Sequence, residues 1–99
     1  MINIVTNQDL KNSLDLFGIN HDMNSLMELL PDNFVHDGIK YEFGIDVNED
    51  GEYETNYVSA EDYILLCSYD YENMVDAIAY CVVEVTRMLR NNEITNVNY

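Results

Sequence analysis

The sequence predicts an α+β fold: N-terminal helices, a three-stranded antiparallel β-meander, and a long C-terminal amphipathic helix packed on one face of the sheet. Three observations carry this. Apolar residues recur at helical spacing up to Pro31, the single proline of the 99-residue chain. Between residues 40 and 69 the spacing drops to two, the period of a strand. From 71 to 93 helical spacing returns. One domain is expected over residues 1–99, made of a helical part (1–31), a sheet (40–69) and a helix (71–93), with no repeat, low-complexity tract or linker.

In TNQDLKNSLDLFG, Leu10, Leu14 and Phe17 share one helical face. Thr6 and Asp9 have capping-box spacing, with Asp in place of Glu, and Gly18 suits the stop. NHDMNSLMELLP repeats the pattern with Met23, Leu26, Met27 and Leu30 on one face, and Pro31 ends it.

GIKYEFGIDV switches to alternation. Tyr41, Phe43, Ile45 and Val47 take one side, and Glu42, Gly44 and Asp46 the other. GEYETNYV does the same, with Tyr53, Thr55 and Tyr57 opposite Glu52, Glu54 and Asn56. YILLCSY, residues 63–69, is apolar at both parities and is expected to be central or covered on both sides. Tyr41 and Tyr63 are expected in the core and Tyr69, Tyr71 and Tyr80 at the surface; Tyr53 and Tyr57 fit either place.

In residues 71–93, Met74, Ile78, Cys81, Val85 and Met88 form a stripe that Val75, Val82 and Leu89 widen. Asp76, Tyr80, Glu84, Arg87 and Asn91 are expected on the opposite side. The arc is wider than a surface helix needs. It implies a helix between the sheet and the N-terminal helices, or one that meets a second subunit in a homodimer.

Charge is the outlying property. Nineteen acids against four bases give −15 at neutral pH. Twelve acids and no Lys or Arg lie between Lys40 and Arg87. A surface kept for solubility mixes both signs. Such a field repels nucleic acid and anionic membranes and suits a cationic partner. On the predicted strands Glu42 and Asp46 share a face, as do Glu52 and Glu54; side chains two apart on a strand are roughly 6.8 Å apart, about two phosphate steps along a DNA strand. The hairpin tip adds Glu49 and Asp50, and the loop before the third strand adds Glu61 and Asp62. These eight carboxylates are the candidate partner-binding residues.

Other chemistry fits less well. Asp46, Asn48, Asp50 and Gly51 match the first half of an EF-hand calcium loop, but its twelfth position is Tyr57 and both flanks have strand period. Asp-Gly between alternating runs points instead to a hairpin turn. His21-Asp22 and His36-Asp37 alone do not make a metal site. Cys67 and Cys81 lie in apolar segments without basic neighbours and read as buried thiols. Nucleophile-elbow, phosphate-loop and dinucleotide motifs are absent from the sequence. No catalytic residue, cofactor or metal is expected. No signal peptide or membrane span is expected, so the setting is read as the reducing cytoplasm of a bacterial host cell.

The segments DGIKYEF, YILLCSYD and MVDAIAYCVVEVTRMLRNNEI, within residues 29–94, resemble small bacteriophage-encoded proteins. Size and charge also resemble phage anti-defence proteins, among them anti-CRISPR proteins and DNA mimics. That resemblance implies a non-enzymatic inhibitor whose acids fill the basic nucleic-acid groove of a CRISPR effector or restriction nuclease. An immunity protein or antitoxin against a cationic toxin, and a structural or oligomerising phage protein, are the alternatives.

Overall fold

A computed structural model describes residues 3–68 and 71–99. The elements run α1 (Gln8–Phe17), α2 (Met23–Glu28), β1 (Asn33–His36), β2 (Ile39–Val47), β3 (Tyr53–Ser59), β4 (Ile64–Cys67), α3 (Met74–Arg90) and β5 (Thr95–Asn98). The fold is α+β, as expected, but the sheet has five strands in the order β4-β3-β2-β1-β5, antiparallel throughout.

The two strands added to the expected meander are the ones with least local signal. β1 is four residues long and joins β2 through Asp37-Gly38, both at positive φ (49° and 78°), the backbone of a two-residue type I′ hairpin. The Asp-Gly pair in HDGI was the available clue. β5 is Thr-Asn-Val-Asn, and only its pairing with β1 makes it a strand. The expected C-terminal helix is therefore not the last element. It ends at Arg90, where Asn92 at φ 56° closes it with bonds from Asn92 N to Leu89 O (3.2 Å) and Glu93 N to Met88 O (2.9 Å).

α3 packs on β3 and β4 with one side and on α1 and α2 with the other. Ten of its residues are buried, including Val75, Ile78, Cys81, Val82, Val83 and Val85. Burial within one chain thus accounts for the wide apolar arc. Below α3 the sheet contributes Phe34, Tyr41 and Tyr57. Phe34 and Tyr57 rings lie 4.7 Å apart, and the Tyr57 hydroxyl donates to the Pro31 carbonyl at 2.8 Å. Above it sit Val5, Leu10, Leu14, Leu26 and Leu30.

Several side chains fall elsewhere than their spacing implied. β4 is an edge strand, not a central one. A bulge between Tyr57 and Val58 lets Tyr57 face Leu66 while Val58 faces Ile64, so Leu65 is the extra residue. Leu65 and Leu66 both pack on the core. The bulge, rather than cover on both faces, explains an apolar run at both parities. Tyr63, expected in the core, lies in the turn before β4 and is 59% exposed. Met27 is exposed as well, because α2 is only six residues long and turns Leu26 inward. Tyr57 is core, Tyr53 is half-buried, and Tyr71 and Tyr80 are half-buried rather than on the surface. Tyr69 and Asp70 lie outside the described residues.

The largest departure is Asp76, assigned by spacing to the solvent side and found 5% exposed. Its Oδ1 accepts from the Thr6 amide at 2.8 Å and the Asn7 amide at 3.4 Å, and its Oδ2 from the Thr6 hydroxyl at 2.5 Å and Asn73 Nδ2 at 3.1 Å. Asn73 caps α3 and Asn7, not Thr6, caps α1. One carboxylate therefore joins the positive ends of two helices, where a negative charge is stabilised without a cation.

Candidate functional site

β2 and β3 form a long hairpin whose two faces differ. Tyr41 pairs with Ser59, Phe43 with Tyr57, Ile45 with Thr55 and Val47 with Tyr53 on the helix side. Glu42 pairs with Val58, Gly44 with Asn56 and Asp46 with Glu54 on the open side. Glu52 precedes β3 and belongs to the turn, not to the strand face shared by Glu54.

The tip is built around Asn48. Its amide donates to the Glu52 carbonyl (3.0 Å) and its carbonyl accepts from Gly51 (3.1 Å). Its side-chain Oδ1 accepts from the Asp50 and Glu52 amides at 3.0 and 2.9 Å. Gly51 sits at φ 78°, a region glycine enters without steric cost. The expected hairpin turn is what the chain forms here. The oxygen that an EF-hand loop would offer at its third position is committed to the turn.

Glu61 and Asp62 occupy the turn at the other end of the sheet. Its plan is the same: Ser59 N to Tyr63 O at 2.9 Å, Asp62 N to Ser59 O at 3.0 Å, and Ser59 Oγ accepting from the Tyr63 amide at 3.0 Å. Asp62, at φ 66°, stands where the first turn has glycine. Beside it an open groove of about 450 Å³ is lined by Gly38, Ile39, Lys40, Glu42, Glu61 and Tyr63, among others.

The eight candidate carboxylates therefore form two groups. Asp46, Glu49, Asp50, Glu52 and Glu54 gather at the distal hairpin; Glu42, Glu61 and Asp62 lie at the opposite end. Glu42 and Asp46 are roughly 13 Å apart along the strand. Between them the open face carries Gly44, Asn56 and Cys67 in register. Asn56 donates to Asp46 Oδ2 at 3.1 Å and lies so closely over Gly44 that a Cβ there would meet its Oδ1 at 2.7 Å. Lys40 reaches Glu42 at 3.8 Å, whereas the distal five have no salt bridge among the described residues. Asp46 directly opposite Glu54 is a like-charge pair, which costs stability.

Spacing did not single out what lies behind these acids. Ile45 and Val47 were assigned to the packed face, yet they are 40% and 59% exposed: α3 packs over β3 and β4, burying Thr55 opposite Ile45, and leaves this part of β2 at the margin.

The remaining polar groups serve the fold. His21 meets Asp15 at 2.7 Å rather than Asp22, which caps α2; the Ser25 amide holds the Asp22 carboxyl below the usual range. His36 Nδ1 lies 2.9 Å from the Glu93 carbonyl oxygen. The Thr55 hydroxyl donates to the Ala77 carbonyl at 2.6 Å and sits 2.9 Å from Ser68 Oγ and 3.1 Å from Cys81 Sγ. Burial pushes the Cys81 thiol up to about 12, the opposite of an activated nucleophile. Cys67 is half-buried rather than fully buried. Among the described residues no three His, Cys, Asp or Glu side chains converge to hold a metal ion, and no helix is long and apolar enough to cross a membrane.

No protein-family model matches this sequence, and no curated protein or solved structure is significantly similar to it.

Proposed function

We propose that this chain is a non-enzymatic acidic inhibitor that docks in the lysine- and arginine-rich nucleic-acid groove of a partner protein. The partner class that best suits it is a bacterial defence nuclease, a CRISPR effector or a restriction enzyme. One observation carries the reading: twelve acids and no basic residue between Lys40 and Arg87, five of them on one projecting hairpin. Like charges held together weaken the sheet, so a use in binding offsets a cost in folding. In a basic groove those carboxylates stand in for phosphates and speed encounter by electrostatic steering.

The test is a tagged pull-down from nuclease-treated bacterial lysate, washed at low and then high salt. A nuclease or CRISPR effector released by salt is the expected result. Single charge changes are buffered by their neighbours, so the decisive variant carries Asp46→Asn, Glu49→Gln, Asp50→Asn and Glu54→Gln together. A folded fourfold variant that retains the partner through the same washes overturns the reading, as does recovery of the chain alone.

A further inference from the structure

The distal part of β2 has a backbone edge that no other described strand pairs. β1 accompanies β2 only between the Asn33–Glu42 and His36–Ile39 pairs. The last bond on that side runs from the Phe43 amide to the Asp32 carbonyl, at 3.0 Å. Amides two residues apart on a strand point the same way. The N–H and C=O groups of Ile45 and Val47 therefore point away from β3, toward solvent. Their side chains, on the helix side, are 40% and 59% exposed. A row of unpaired backbone groups beside exposed alternate apolar side chains is the surface to which an extended segment adds. The β5 edge is blunted by comparison, since a register shift interrupts its pairing with β1 and Asn96 sits at φ 49°.

Charge selects the occupant. A second copy would bring Asp46, Glu49, Asp50, Glu52 and Glu54 against the same five residues, which opposes self-pairing at neutral pH. A cationic strand meets the complementary field. We propose that the β2 edge at Gly44–Val47 receives an extended segment of the partner protein by antiparallel strand addition. In that segment apolar residues alternate with Lys or Arg. This rests on the reading of an acidic protein with a basic partner, and it names the contacting element on both sides. Opposite Ile45 and Val47 the incoming residues are apolar and lie on the helix side. Between them a basic residue lies on the open side, level with Asp46, with facing Cβ atoms roughly 5 Å apart.

The probe is a capped seven-residue peptide alternating valine and lysine, added to the isotopically labelled full chain at low salt. Amide exchange and chemical shifts are read by NMR. Exchange of the Ile45 and Val47 amides should slow by about tenfold or more on binding. In antiparallel pairing the valine amides point at β2 and the lysine amides point away. N-methylation of the valines should therefore weaken binding by about tenfold, and N-methylation of the lysines should leave it nearly intact. Ile45→Pro removes the outward amide but spares the bonds to β3, and should abolish binding; if it unfolds, the methylated peptides decide the matter on the unaltered chain. Equal binding of both methylated peptides overturns strand addition and leaves the acidic-partner reading standing. Absence of salt-dependent binding by any lysine peptide overturns both. Protection at β4 instead, or protection of Ile45 that grows with protein concentration alone, overturns the proposal in favour of another edge or of a second copy.

Discussion

The two halves of the β2–β3 ladder obey the same alternation and meet different fates. Around Tyr41, Phe43 and Tyr57 the inward side chains lie in or against the core and are joined by Phe34, with Phe43 and Tyr57 ring centroids 5.4 Å apart. Two and four residues on, Ile45 and Val47 continue the pattern but are 40% and 59% exposed, while Asp46 and Glu54 face each other on the other side. The near half holds the fold together. The far half carries an unneutralised charge that weakens it. Periodicity reports which face a side chain takes; whether that face is covered depends on how far the helix layer reaches.

The sharpest way to break this comparison is truncation in each half. Tyr57→Ala should cost about 3–5 kcal/mol, through a core cavity and a lost bond to Pro31, whereas Val47→Ala should cost about 0.5 kcal/mol or less. Denaturant midpoints measure both; similar losses would mean that the hairpin is packed after all. Asp76→Ala should cost about 2–3 kcal/mol, because the Thr6 and Asn7 amides lose their acceptor. Asp46→Ala, an exposed carboxylate, should cost nothing measurable by the same assay.

The buried thiol and tyrosines of the core also predict alkaline sensitivity. With the Cys81 thiol raised by burial to about 12, the unfolded chain gives up this proton first, from about pH 9. Its contribution is whole below pH 9 and is lost between 9 and 12, by roughly 1.4 kcal/mol per pH unit. Burial also raises Tyr57, Tyr71 and Tyr80, so they act in the same direction. Stability followed from pH 8 to 10.5 should fall, and Cys81→Ala should flatten that fall whatever it does to stability at pH 8.

Smaller effects sharpen the contrast at the two turns. Both share one plan, with Gly51 in one and Asp62 in the other at the left-handed position. Gly51→Ala should cost about 1 kcal/mol, and Asp62→Gly should gain several tenths, seen as opposite shifts in melting temperature. Smallest is the like-charge pair. Asp46→Asn with Glu54→Gln should stabilise by about 0.3–0.5 kcal/mol at low salt, and the gain should vanish near 1 M salt. A gain that persists in high salt would show that packing, not repulsion, separates these residues.

The sequence by itself determined the order of helices and long strands, the inward face of Tyr41, Phe43 and Thr55, the stop at Gly18, the tip turn at Gly51 and the concentration of acids between Lys40 and Arg87. Each is local: spacing, turn chemistry and composition act within a few residues. Tertiary structure alone decided that Asp76 is buried between two helix ends, that TNVN becomes a strand, and that β4 lies at an edge with a bulge. The eight carboxylates divide into two groups, and the tip of β2 stands uncovered, for the same reason. Each depends on a partner far away in the chain: Thr6 for Asp76, Asn33 for Asn98, the reach of α3 for Ile45 and Val47. No short-range pattern encodes where that partner stops.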